Sequence, residues 1–198
     1  MAMKRMRTFV AVALDDAVRR KASALVEQLG ELGPGAKWVQ PETLHVTLLF
    51  LGEVDAREIL DVCKAVRGVT ENLPPFEMRV AGVGGFPNLR RPRTVWLGVD
   101  EGSAELVELH DEIEEALLAS GSYRREERGF TPHITLGRCK GEDLTPEMQA
   151  LFAKQSKWHG GVQTVREVQV LSSELAREGP VYTVLSREKL LGEVDEVE

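Results

Sequence analysis

Several things are scarce in this 198-residue chain, and each scarcity narrows what it can be. There are only two cysteines, Cys63 and Cys139, without CxxC spacing, so neither a disulfide framework nor a cysteine-rich metal site is available and both read as reduced thiols. No stretch approaches the ~20 apolar residues of a membrane-spanning helix. The basic start MAMKRMR leads into FVAVAL, but that short apolar run passes straight to Asp15-Asp16 without a small-residue cleavage site, so it reads as a first strand rather than an export signal. Net positive charge is missing too. At −7 the chain is poorly suited to gripping long nucleic acid by charge alone. Neither a GxSxG elbow nor a GxxxxGK[ST] loop occurs; the glycine-rich Gly82 to Pro87 lacks the second spacing and no helix follows it.

What the chain does have is a four-residue pattern written twice, His45-Val46-Thr47-Leu48 and His133-Ile134-Thr135-Leu136. Both copies lie in apolar, β-branched runs that read as strands, on which residues two apart share a face. Each copy therefore presents an imidazole and a hydroxyl together. If the two strands face one another across a cleft, two imidazoles and two hydroxyls surround one space.

Around these motifs the periodicities alternate. Thr8 to Leu14 reads as a strand, followed by a helix over Ala17 to Leu32 with Val18, Ala22, Leu25, Val26 and Leu29 inward and Asp15-Asp16 as caps. Gly33-Pro34-Gly35 stops that helix. The first motif strand is expected over Leu44 to Leu51, ended by Gly52. A helix over Ala56 to Val66 should bury Ile59, Leu60, Cys63 and Val66. Strands follow over Phe76 to Val83 and Thr94 to Val99, with the intervening glycine-rich run read as irregular. The helix Ser103 to Ala119 carries Leu106, Leu109, Ile113, Leu117 and Leu118 on one face; its His110 reads as structural or surface. The second motif strand, a short helix Pro146 to Lys154, and strands Thr164 to Leu171 and Val181 to Arg187 complete the order. The expected organisation is α+β and two-lobed, with a pseudo-twofold duplication. Each lobe is an antiparallel or mixed sheet backed by helices, and the HxTL strands line a central cleft. One such domain is expected over 1–191 and an acidic tail over 192–198.

Paired imidazoles suit proton transfer, since a histidine's ordinary pKa of ~6.5 lets one act as base while the other acts as acid. In-line displacement at phosphorus needs both at once, with threonine hydroxyls holding the non-bridging oxygens. Three other readings of the residues stay beside this one. The histidines could be buried and merely hydrogen-bonded. They could ligate a metal, although zinc needs three or four ligands and each strand offers one His with a Thr beside it. The Ser172-Ser173 pair could serve a hydrolase, although no histidine neighbours it in sequence. Positive charge clusters at Arg90-Arg91-Pro92-Arg93 and at Arg124-Arg125 with Arg128 and Arg138, either as solvated loops or as phosphate guidance into a pocket.

Taken together, RTFVAVAL, WVQPETLHVTLLFLGEV, GVGGFPNLRRPRTVWLGV, FTPHITLGR and VLSSELAREGPVYTVL resemble the RNA 2′,3′-cyclic phosphodiesterases, also called 2′-5′ RNA ligases, of the two-histidine phosphoesterase superfamily. The resemblance spans nearly the whole chain. It implies a two-lobed α+β fold and cofactor-free, metal-independent hydrolysis of a ribose 2′,3′-cyclic phosphate to a 2′-phosphate. His45 would be the proton donor to the departing 3′ oxygen and His133 the acceptor that activates water, roles that the symmetry of the two motifs does not itself assign. Thr47 and Thr135 would bind phosphate oxygens. Arg138, counted as two residues past Leu136 on the cleft side, would add a charge-assisted contact. Phe86 and Phe130 are candidates for stacking on the terminal base; Phe50 is a third, better placed in the core. Gly137 stands where the family pattern leads one to expect alanine.

The partners implied are RNA ends, tRNA halves joined through a 2′-5′ bond among them, or small cyclic phosphates, handled by a cytoplasmic monomer. A silent RNA-end binding module and an enzyme for another compound such as ADP-ribose 1″,2″-cyclic phosphate are the alternatives.

Overall fold

In the computed structural model the described residues are 4–31, 36–121, 123, 129–139, 145–177 and 179–193. In chain order they form β1 (Arg5–Ala13), α1 (Asp16–Glu31), β2 (Ala36–Trp38), β3 (His45–Asp55), α2 (Ile59–Thr70), β4 (Phe76–Phe86), β5 (Thr94–Val99), α3 (Ser103–Ala119), β6 (His133–Cys139), α4 (Pro146–Lys154), β7 (His159–Val165), β8 (Glu167–Ala176) and β9 (Gly179–Lys189). The strands join in one sheet, ordered β7-β4-β5-β6-β3-β1-β8-β9, with β2 added along β6. All pairings are antiparallel.

The two expected lobes are thus two arms of a single sheet. One runs β6-β5-β4-β7 and the other β3-β1-β8-β9, and the motif strands meet at the centre through one residue pair, Val46 opposite Ile134. Alternation then sorts the faces. Val46, Leu48, Ile134 and Leu136 are buried among the apolar faces of α1 and α3, whereas His45, Thr47, His133 and Thr135 are half-buried on the opposite side. Burial of each such aliphatic side chain contributes about 1.5–3 kcal/mol. A slip of one residue would forfeit that and drive both imidazoles into the core, so the register is strongly specified.

Helix α1 follows its sequence pattern: Val18, Ala22, Leu25, Val26 and Leu29 are buried, and the Val18 N–H donates to the Asp15 carboxylate at 2.8 Å. Its stop at Gly33-Pro34-Gly35, the arginines 124, 125 and 128 and residues 194–198 of the tail lie outside the described residues.

Elsewhere the elements depart from expectation for identifiable reasons. Gly52 does not end β3. With φ of 69° it accompanies a bulge at Leu51, and the strand continues to Asp55. The glycine-rich run stays within strand β4 to Phe86 but carries a bulge at Gly82, whose φ is 72°, and at Gly84 a side chain would collide with the Trp96 indole, its Cβ 2.2 Å from the ring. Asp55 binds the backbone and side chain of Arg57, which holds the turn before α2; the helix starts at Ile59 rather than Ala56. Its buried face is Val62, Cys63, Val66 and Thr70, leaving Leu60 exposed. The single strand expected over Thr164 to Leu171 is the end of β7 and the start of β8, and β7 begins at His159, where Gly160-Gly161 had masked it.

Candidate active site

On the cleft face the two motif strands repeat one geometry. Neutral imidazole has one N–H, and a carbonyl oxygen can only accept, so the short contacts from Nδ1 fix the tautomer. His45 Nδ1–H donates to the Thr43 carbonyl at 2.6 Å, and His133 Nδ1–H donates to the Thr131 carbonyl at 2.7 Å. In both residues Nε2 is therefore the nitrogen that carries no proton in the neutral ring. That of His45 is 2.9 Å from the Thr47 hydroxyl. Burial holds both imidazoles below the ordinary histidine range; the carbonyl bonds oppose this, and the charge of His133 adds to the lowering at His45, as that of Arg138 does at His133.

Each ring is also framed by two aromatic side chains. Phe9 and Tyr182 have centroids 5.2 and 5.5 Å from His45, and Phe86 and Trp96 lie 5.1 and 6.2 Å from His133. Phe9, Tyr182 and Trp96 carry no motif signal. They belong to segments distant in sequence, which only strand pairing brings together.

A second repeated device follows each threonine. Between Val10 and Ala11 of β1, whose partners are Leu49 and Thr47, Leu48 is an extra residue; between Val95 and Trp96 of β5, partnered by Gly137 and Thr135, Leu136 is the extra one. A bulge shifts the alternation by one. The residue three beyond each threonine therefore turns to the cleft: Phe50 on β3 and Arg138 on β6. Phe50 is accordingly 55% exposed and not in the core as expected. Counting from Leu136 is not what places Arg138 in the cleft, because Leu136 faces the core; the bulge does it.

Two cavities, of about 440 and 450 Å³, adjoin the motifs and share Thr47, Phe50, Thr135 and Arg138, so they form one cleft with two chambers. The first contains His45, Tyr182, Arg7 and Lys37; the second contains His133, Phe86, Phe130, His110 and Glu114. His45, Thr47, His133, Thr135, Arg138, Phe86 and Phe130 thus all line the cleft. Phe130 lies flat against His110, centroids 4.3 Å apart and planes 3° from parallel, so His110 is neither idle nor superficial: it supports the segment whose Thr131 carbonyl orients His133. Cys63 and Cys139 line neither chamber, and burial pushes both thiols up. Among the described residues no three His, Cys, Asp or Glu side chains gather to hold a metal.

With this geometry the chain matches a family model. The model of the 2′-5′ RNA ligase superfamily fits residues 14–177. The RNA 2′,3′-cyclic phosphodiesterase of Archaeoglobus fulgidus is 39% identical over 177 residues, covering 89% of this chain and 96% of the relative. That of Thermotoga maritima is 37% identical over 184 residues, 91% and 93% of the two chains. Among solved structures, TT0787 of Thermus thermophilus superposes with a TM-score of 0.80 at 30% identity, over 96% of this chain and all 100% of that one. E. coli LigT complexed with 3′-AMP does so with 0.76 at 27% identity, over 94% and 99%.

Proposed function

The chain belongs to the 2′-5′ RNA ligase superfamily, and from that premise we propose that it hydrolyses RNA 2′,3′-cyclic phosphate ends to 2′-phosphates by paired-histidine acid–base catalysis. The observation that carries this reading is the duplicated imidazole: two histidines, each with Nδ1–H tied to a backbone carbonyl and each with a threonine two residues on, on strands that meet at the centre of the sheet.

In this mechanism the cyclic phosphate lies where the chambers join. The Thr47 and Thr135 hydroxyls and the Arg138 guanidinium take its non-bridging oxygens. Neutral His133 accepts a proton from water at Nε2 as the water oxygen attacks phosphorus. Protonated His45 donates from Nε2 to the 3′ oxygen as the P–O3′ bond breaks. One proton is taken and one given, and the product is a ribose 2′-phosphate with a free 3′ hydroxyl. A 5′ hydroxyl in place of water would leave a 2′-5′ linkage, the ligase sense of the family description. The ring of Phe50, exposed beside both threonines, supplies a stacking surface in addition to Phe86 and Phe130. The substrates in this reading are RNA ends met in the cytoplasm. Among the described residues no helix is long and apolar enough to cross a membrane.

The test is incubation, in EDTA, with a short RNA ending in a 2′,3′-cyclic phosphate, the product being identified by mass and by phosphatase and periodate sensitivity. A 2′-phosphate is expected. Tight binding without turnover would instead make the cleft a binding module.

A further inference from the structure

We propose that the chamber beside His45 is a polynucleotide subsite, in which Arg7 and Lys37 bind the internucleotide phosphate immediately 5′ of the cyclic nucleotide. The inference rests on the reading of the cleft as a site for RNA cyclic ends.

The two chambers differ in charge. The chain as a whole carries −7, yet among the described residues the chamber beside His45 is lined by three cations, Arg7, Lys37 and Arg138, and by no carboxylate. Among the described residues the chamber beside His133 has Arg138 at the shared boundary and Glu114 within it. Like charges directly opposite on paired strands repel. Lys37 and Arg138 are such a pair, partners across β2 and β6, and both line the same cavity. Among the described residues Arg7, Lys37 and Arg138 form no ion pair; Glu53 faces Arg7 across β3 without pairing to it. An anion entering the chamber would meet these cations without first displacing a protein carboxylate from them.

One cyclic phosphate carries a single negative charge, and the two threonines and Arg138 suffice for it. Arg7 lies farther out, two residues along β1 from Phe9 and so on the same face, and Arg7 and Arg138 are both near enough to Tyr182 for their charges to act on its phenol. The cations thus come from three strands, Arg7 from β1, Lys37 from β2 and Arg138 from β6, more positive charge than a single monoanionic phosphate needs. Direction agrees as well. His45 protonates the departing 3′ oxygen, so the ribose bearing that oxygen lies on the His45 side and the chain leading 5′ from it enters this chamber. At the rim, Leu175, 90% exposed, and Pro180 offer apolar edges to the upstream nucleoside.

Calorimetric titration with two reaction products reads the subsite without turnover: a nucleoside 2′-phosphate, and the dinucleotide that ends in the same 2′-phosphate. The dinucleotide is expected to bind about tenfold more tightly. Its advantage should shrink with salt, through an extra log–log slope of roughly 0.7 for one more phosphate neutralised. The double variant Arg7→Ala, Lys37→Ala should bring the ratio close to one, while Arg7→Lys keeps most of it. Equal affinities in the parent protein, or a preference that survives the double variant, would overturn the subsite. Turnover of the matching cyclic compounds is scored separately: an intact binding preference without hydrolysis would leave the subsite standing and remove the hydrolytic reading.

Discussion

In the arm built on β3, His45 stands between Phe9 and Tyr182, and the residue turned to the cleft by the bulge is Phe50. In the arm built on β6, His133 stands between Phe86 and Trp96, and the residue in the matching place is Arg138. The parts that position each imidazole are the same in both: the carbonyl on Nδ1, the threonine two residues on, the aromatic frame and the bulge. The parts that would meet the substrate differ, a flat apolar ring in one and a cation in the other, with basic walls beside His45 and Glu114 beside His133. A duplicated scaffold gives two equivalent bases. In the proposed mechanism it is the unlike surroundings that would make one of them an acid, because they would decide on which side the leaving ribose lies.

The largest effect should come from removing what the arms share. His45→Ala and His133→Ala are each expected to lower kcat by about 10²–10⁴-fold, the usual contribution of a general acid or base. Full activity in either folded variant would end the paired mechanism. Removing what they do not share should cost less and in different ways. Arg138→Ala gives up a charge-assisted contact of about 1.5–3 kcal/mol with the reacting phosphate, so kcat/KM should fall by about 10–100-fold. Phe50→Ala gives up base stacking, about 1–3 kcal/mol, which should appear chiefly in KM. Equal effects of both variants on kcat would mean that the two positions do not divide the work as their chemistry suggests.

Titration sharpens the same contrast. Both imidazoles are held below the ordinary histidine value of 6.5, mainly by burial, so in the free enzyme the acid loses its proton, and the base gains one, at lower pH than usual. The bell of kcat/KM should therefore centre on the acid side of that value, and the bell of kcat should lie higher because bound phosphate favours imidazolium. Arg138 depresses His133 directly and is not among the causes at His45. In Arg138→Ala the His133 pKa rises, and as the base sets the acid limb, that limb should move to higher pH. An unmoved acid limb, or a shift confined to the alkaline limb, would reverse the assignment of acid and base.

How far this was legible in the sequence depends on the range of the forces involved. The pairing of His45 with Thr47 and of His133 with Thr135 follows from a period of two along a strand, and the buried face of α1 follows from a period of 3.6; both are written locally. The exposure of Phe50 is not. An extra residue in a ladder is decided by the partner strand, and Leu48 and Leu136 look like any other core leucines until β1 and β5 are laid beside them. The same holds for Tyr182, which reaches His45 only because β9 pairs with β8, β8 with β1 and β1 with β3. That two lobes share one sheet rests on the single Val46–Ile134 contact, which no periodicity announces.

The smallest expected effect concerns the residue before the substrate-facing one, where the arms again differ: Leu49 on β3, buried in the core, and Gly137 on β6, with the Trp38 ring against it. A Cβ at 137 would lie 2.5 Å from that ring, closer than van der Waals contact allows, so Gly137→Ala must push Trp38 outward into the chamber beside His45. Overpacking of this kind costs about 1–3 kcal/mol, and each kcal/mol lowers the Tm of a chain this size by about 2–4 °C. Leu49→Ala errs in the opposite direction, leaving a cavity at a cost of about 2–5 kcal/mol, and should lower the Tm further. Activity is expected to fall modestly in Gly137→Ala, where the displaced indole crowds the chamber beside His45, and to change less in Leu49→Ala. Calorimetry of Gly137→Ala alone and together with Trp38→Leu separates the causes: if Trp38 is what the methyl strikes, the smaller side chain removes the cost of the alanine, and if the cost persists, the strain lies against the Lys37 carbonyl, 3.3 Å from the same position.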